Sequence, residues 1–81
     1  MIKKPKEVIG VYDNGGRTID RYTVVLNESG GFGLYGCFGL SNDPRFFSQY
    51  SSCMIGAHLG KRIGWKNLPA ILKEHVIDRL G

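Results

Sequence analysis

Phe32-Gly33-Leu34-Tyr35-Gly36-Cys37-Phe38-Gly39-Leu40 alternates large and small residues at a period of two. Successive strand side chains point to opposite faces, so Phe32, Leu34, Phe38 and Leu40 fall on one face, with Gly36 among them. Gly33, Tyr35, Cys37 and Gly39 fall on the other, where the glycines leave room for another backbone or side chain to lie close. A half-buried antiparallel strand is the reading this pattern supports.

Working backward, Asn27-Glu28-Ser29-Gly30-Gly31 is a turn, and Tyr22-Thr23-Val24-Val25-Leu26 is a strand of β-branched and aromatic residues. Val8-Ile9-Gly10-Val11-Tyr12 repeats that chemistry one step earlier. The three segments predict an antiparallel meander with one buried face. Met1 to Glu7 is a basic lead-in expected to fray. Working forward, Ser41-Asn42-Asp43-Pro44 has strong turn chemistry. Arg45 to Ala57 has no clear period and predicts an irregular segment tucked against the sheet. His58 to Ile63 is a candidate short fourth strand. Asn67 to Leu80 predicts the one helix: Asn67 can cap it, and Pro69 is tolerated in its first turn. Leu68, Ile71, Leu72, His75, Val76, Arg79 and Leu80 share a broad arc, so a Leu68–Leu72–Val76–Leu80 stripe should pack on the sheet. The expected fold class is therefore α+β: a three- or four-stranded antiparallel meander with a C-terminal amphipathic helix on one face, forming a single domain over residues 1–81.

The chain has 81 residues, of which 42% are hydrophobic and 22% charged, which excludes a low-hydrophobicity disordered chain. Its twelve glycines are roughly twice the usual share of ~7%. The net charge of +4 favours acidic partners, nucleic acid among them, or simply solubility. Two cysteines are too few for a disulfide scaffold. No apolar run approaches the ~20 residues of a membrane span, and no leader pattern opens the chain. These features predict a cytoplasmic protein with reduced thiols and no membrane partner.

Between the first two strands lies Asp13-Asn14-Gly15-Gly16-Arg17-Thr18-Ile19-Asp20-Arg21-Tyr22. Asn14-Gly15 could close a tight turn, yet the chain runs on through Arg21. Asp13 and Asp20 can act as acid and base, and Arg17 and Arg21 can grip phosphate or carboxylate. The same residues can instead tie the loop to itself through Asx turns and ion pairs. His58, Lys61 and Arg62, with Trp65 and Lys66, interleave base and aromatic as a nucleic-acid surface does, unless Trp65 closes the core. The candidate binding residues are thus Asp13, Arg17, Asp20, Arg21, Tyr22, His58, Lys61 and Arg62. Neither Gly15-Gly16 nor Gly30-Gly31 makes a nucleotide fingerprint, so no cofactor is assigned. Cys37, Cys53, His58 and His75 lack metal-ligand spacing, and a Cys53–His58 nucleophile pair has no supporting context, so neither a metal site nor a catalytic residue is assigned.

Tyr12-Asp13-Asn14-Gly15-Gly16, Asp20-Arg21-Tyr22-Thr23-Val24, Ser41-Asn42-Asp43-Pro44, Gln49-Tyr50, His58-Leu59-Gly60-Lys61 and Leu68-Pro69 follow one another in a recognisable order. In these blocks the chain resembles small, mostly uncharacterised proteins encoded by bacteriophages, prophages and other mobile elements. It departs from them at Arg45-Phe46-Phe47, where a second proline and a glycine are common. The resemblance implies action by binding: an inhibitor of a host protein or protein–nucleic-acid complex in the host cytoplasm, such as an anti-CRISPR. A nucleic-acid-binding accessory protein and a small hydrolase or nucleotide-binding protein using the Asp13–Tyr22 loop are the alternatives.

Overall fold

The computed structural model describes residues 2–28, 32–41 and 49–81. They form β1 (Gly10–Asp13), β2 (Tyr22–Glu28), β3 (Tyr35–Leu40), β4 (Gln49–Cys53), a 3-10 turn at Ala57–Leu59, β5 (Lys61–Ile63), a second 3-10 turn at Trp65–Asn67, and α1 (Ala70–Leu80). The α+β class holds, with five strands rather than three or four. The sheet order is β4-β3-β2-β1-β5, antiparallel throughout. β1 to β4 form the meander. β5 returns to the far edge and pairs with β1, Val11 opposite Ile63 and Asp13 opposite Lys61.

β4 falls inside the segment expected to be irregular. Gln49-Tyr50-Ser51-Ser52-Cys53 is too polar to announce a strand, and pairing supplies what its own pattern lacks: Cys37 faces Ser51 and Tyr35 faces Cys53. The alternation of Phe32–Leu40 holds only from Tyr35 onward. Phe32 has φ 59° and is 97% exposed, so it belongs to a turn and not to the buried face. His58 lies in the 3-10 turn before β5, and β5 is confined to Lys61–Ile63. The Ser41–Pro44 turn and the Arg45-Phe46-Phe47 departure lie, beyond Ser41, outside the described residues, as does the Ser29–Gly31 part of the earlier turn.

Tyr22, Val24 and Leu26 of β2, Phe38 and Leu40 of β3, and Val8 and Val11 around β1 form the main core with Leu68, Leu72 and Val76. Ile63, Trp65 and Leu80 pack at its margin. The expected leucine–valine stripe is therefore the buried stripe, while Ile71, placed on the same arc, is exposed. Asn67 does not cap the helix. It closes the second 3-10 turn, and Pro69 stands at the cap position with its carbonyl accepting from the N–H groups of Leu72 and Lys73.

The second face of the sheet is not simply bare. Tyr12, Val25 and Leu59 form a smaller buried cluster there, with Tyr35 and Cys53 against it. The lead-in is also tied down: the Trp65 indole N–H donates to the Ile2 carbonyl at 3.0 Å, and the Lys4 ammonium donates to the Val8 carbonyl at 2.7 Å. No helix among the described residues is long and apolar enough to cross a membrane.

Candidate functional site

The Asp13–Tyr22 loop is held by its own side chains. The Asp13 carboxylate accepts the Gly15 N–H at 2.8 Å, and Asn14 Oδ1 accepts from Gly16 and Arg17, an Asx pair that sets the turn. Asn14 Nδ2 donates to Thr18 Oγ1 and to the Asp20 carbonyl. The Asn14 N–H donates to the Arg21 carbonyl and so continues the β1–β2 pairing at the loop neck. Gly15 and Gly16, rather than Asn14, take the positive φ values of the turn.

Asp13 and Arg21 form a two-pronged ion pair: Arg21 Nε lies 2.8 Å from Asp13 Oδ1, and Arg21 Nη2 lies 3.1 Å from Oδ2. The hydrogen bond from Arg21 is the main reason that Asp13 stays ionised below the usual carboxylate range. Partial burial opposes it, and the Gly15 N–H and the Arg21 charge assist. Reciprocally, Asp13 raises the affinity of Arg21 for its proton. The guanidinium also sits 5.2 Å from the centroid of the Tyr22 ring. Tyr22 itself is 6% exposed and belongs to the core, so its side chain is not a contact surface.

The remaining candidates separate onto two recesses. The smaller, of about 350 Å³, is lined by Asp13, Asn14, Gly15, Arg17, Gly60, Lys61 and Ile63. Gly60 makes it possible. It has φ 93°, and a Cβ there would collide with the Asp13 carbonyl and the Asn14 Cα, so only glycine lets the approach to β5 press against the loop. Arg17 and Lys61 are thereby brought to one hollow from positions far apart in sequence. Arg17 Nε is anchored to the Asn14 carbonyl at 3.3 Å. Arg62, next along the edge strand, reaches the Ile9 carbonyl at 3.2 Å.

The larger recess, of about 590 Å³, lies on the second face of the sheet and takes Asp20 and His58. Asp13 and Asp20 therefore line different hollows and do not pair as acid and base. The Asp20 carboxylate rests on Gly39, where a Cβ would stand 2.9 Å from Oδ2. The floor carries Thr23, Cys37 and Ser51, which the sequence reading left out of any site. Cys37 and Gly39 were legible as second-face residues. Ser51 was not, because nothing marked β4 as a strand.

Both cysteines are free. Cys37 Sγ lies 3.5 Å from Ser51 Oγ. Burial, then the hydrogen bond and charge of Cys37, push the Cys53 thiol up to about 12. It is therefore a neutral thiol at physiological pH, which deprives a Cys53–His58 pair of its nucleophile. Among the described residues no three histidine, cysteine or acidic side chains gather as a metal site.

No protein-family model, curated protein or solved structure matches the chain.

Proposed function

We propose that this chain acts by non-covalent binding, as an inhibitor of a host protein or protein–nucleic-acid complex of the kind that phage and prophage proteins direct at host defence. The host-directed part of this reading rests on the block order that resembles such proteins. The binding part rests on one observation: Arg17 and Lys61 share a hollow whose only carboxylate among the described residues, Asp13, is already neutralised by Arg21. Two exposed cations are left there, Arg17 on a loop braced by its own hydrogen bonds and Lys61 on the β5 edge strand. Arginine held in this way is a strong anchor for an acidic patch on a partner, because its fork loses little freedom on binding.

Direct binding to nucleic acid is the second reading. It is favoured by Lys61 and Arg62 on the β5 edge strand and by Lys66 in the 3-10 turn that follows it, where the Lys73 ammonium donates to the Lys66 carbonyl. Trp65 weighs against it, since its N–H is spent on Ile2 and its ring packs at the core margin rather than serving as a stacking platform.

A pull-down from host lysate, run with and without nuclease, tests the proposal. The chain should retain a protein partner after nuclease treatment, and Arg17→Ala with Lys61→Ala should weaken that association by about tenfold or more. Loss of every partner with nuclease would move the function to the second reading. A partner held equally well by the double variant would place the contact elsewhere.

A further inference from the structure

The second-face groove is chemically unlike the rest of the surface. The chain carries eleven lysines and arginines, yet none of those among the described residues lines this groove. Its walls include Leu34 and Met54, which are 38% and 58% exposed. Among the described residues its one carboxylate is that of Asp20, which has no hydrogen-bond or ion-pair partner there. The Asp20 backbone is fixed, because its carbonyl accepts from Asn14 Nδ2 at 3.1 Å and Thr18 Oγ1 at 3.1 Å. The side chain lies over Gly39, where a Cβ would stand 2.9 Å from Oδ2. A single unpaired carboxylate beside apolar walls and the Thr23 and Ser51 hydroxyls is a recognition pattern for a ligand with an apolar body and a cationic head.

We propose that this groove is a binding site for a small alkylammonium compound. The ammonium donates to the Asp20 carboxylate, and the hydrocarbon lies along Leu34 and Met54 above Cys37. A volume of about 590 Å³ is within the usual range for small-molecule sites. The long-range field of a chain with net charge +4 repels a cation, so the attraction must be local and must depend on Asp20. Among the described residues the groove shares only Asn14 with the Arg17–Lys61 hollow, and the site does not depend on the macromolecular partner proposed above.

Titration with hexylamine, followed by the backbone amide resonances of the intact chain, tests the site. Hexylamine should shift the amides of Thr23, Cys37, Gly39 and Ser51 saturably, while hexanol binds more weakly and hexanoate least. Asp20→Asn keeps the loop's backbone hydrogen bonds and should weaken hexylamine binding by about tenfold or more, because the carboxylate charge that pairs with the ammonium is removed. Gly39→Ala should weaken it as well by displacing the carboxylate. Unchanged affinity in Asp20→Asn, equal binding of hexanoate, or shifts confined to other parts of the chain would each overturn the proposal. An amide spectrum of Asp20→Asn that retains the wild-type dispersion establishes that the variant is folded.

Discussion

The two loop arginines look interchangeable in sequence, but their surroundings assign them different work. Arg21 closes the neck of the loop on Asp13, whereas the Arg17 side chain, among the described residues, hydrogen-bonds to the Asn14 carbonyl and forms no ion pair. Arg21→Ala should therefore lower the melting temperature more than Arg17→Ala, and Arg17→Ala should weaken partner binding more. Thermal melts beside binding curves for both variants check this, and reversed ranks would make Arg21 the contact. Two titrating groups add separate pH windows. Asp13 has its folded value depressed below the ordinary 3.8, so the stability it contributes is complete above that value and is lost as pH falls through the folded value. Asp13→Asn should cost stability at neutral pH, and that difference should shrink as pH falls below 3.8 and through the folded value. His75 is depressed below 6.5, by burial first and then by the Arg79 charge, with Asp78 opposing. Its contribution is complete above 6.5 and falls away as pH drops through its folded value, so His75→Gln should flatten the stability profile just below 6.5. A wild-type slope that survives there would assign it to another group.

At the scale of elements, α1 is held by the side chains that face the sheet. Leu72 is 1% exposed and Ile71 is 53% exposed. Leu72→Ala should cost about 2–5 kcal/mol, the range for a truncated buried leucine, whereas Ile71→Ala should shift the denaturation midpoint far less. Equal shifts would mean that the stripe is not core. This helix, the three central strands and the second-face position of Cys37 and Gly39 were legible because periodicity alone specifies them. β4 was not, because a strand of serine, glutamine and tyrosine gains its order from the neighbour it pairs with. The start of α1 was misjudged for a related reason: Asn67 has the chemistry of a cap but is consumed by a 3-10 turn. The candidate site was half legible. Charged residue types in the loop and near β5 were visible, but the sorting of Asp13 and Arg17 from Asp20 and His58 depends on Gly60 and Gly39, whose roles exist only once distant strands meet.

For the whole molecule, charge and topology meet at the β5 edge. Lys61 and Arg62 stand on an edge strand, where charge also discourages pairing with other chains. Partner association through Arg17 and Lys61 should weaken as ionic strength rises toward and beyond ~0.15 M, where the Debye length is about 8 Å. An affinity indifferent to salt would point to an apolar contact instead. The same edge is built from both ends of the sequence: β1 borders β5, and Ile2 is tied to Trp65. The apolar face of β1–β3 in turn waits for Leu68, Leu72 and Val76. A nascent chain released one residue at a time from its N-terminus can assemble the meander early but cannot cover it until its last helix has been made. The aggregation-prone interval therefore runs from the completion of β3 to the emergence of α1, and termination within it would leave a sticky fragment rather than a smaller folded protein.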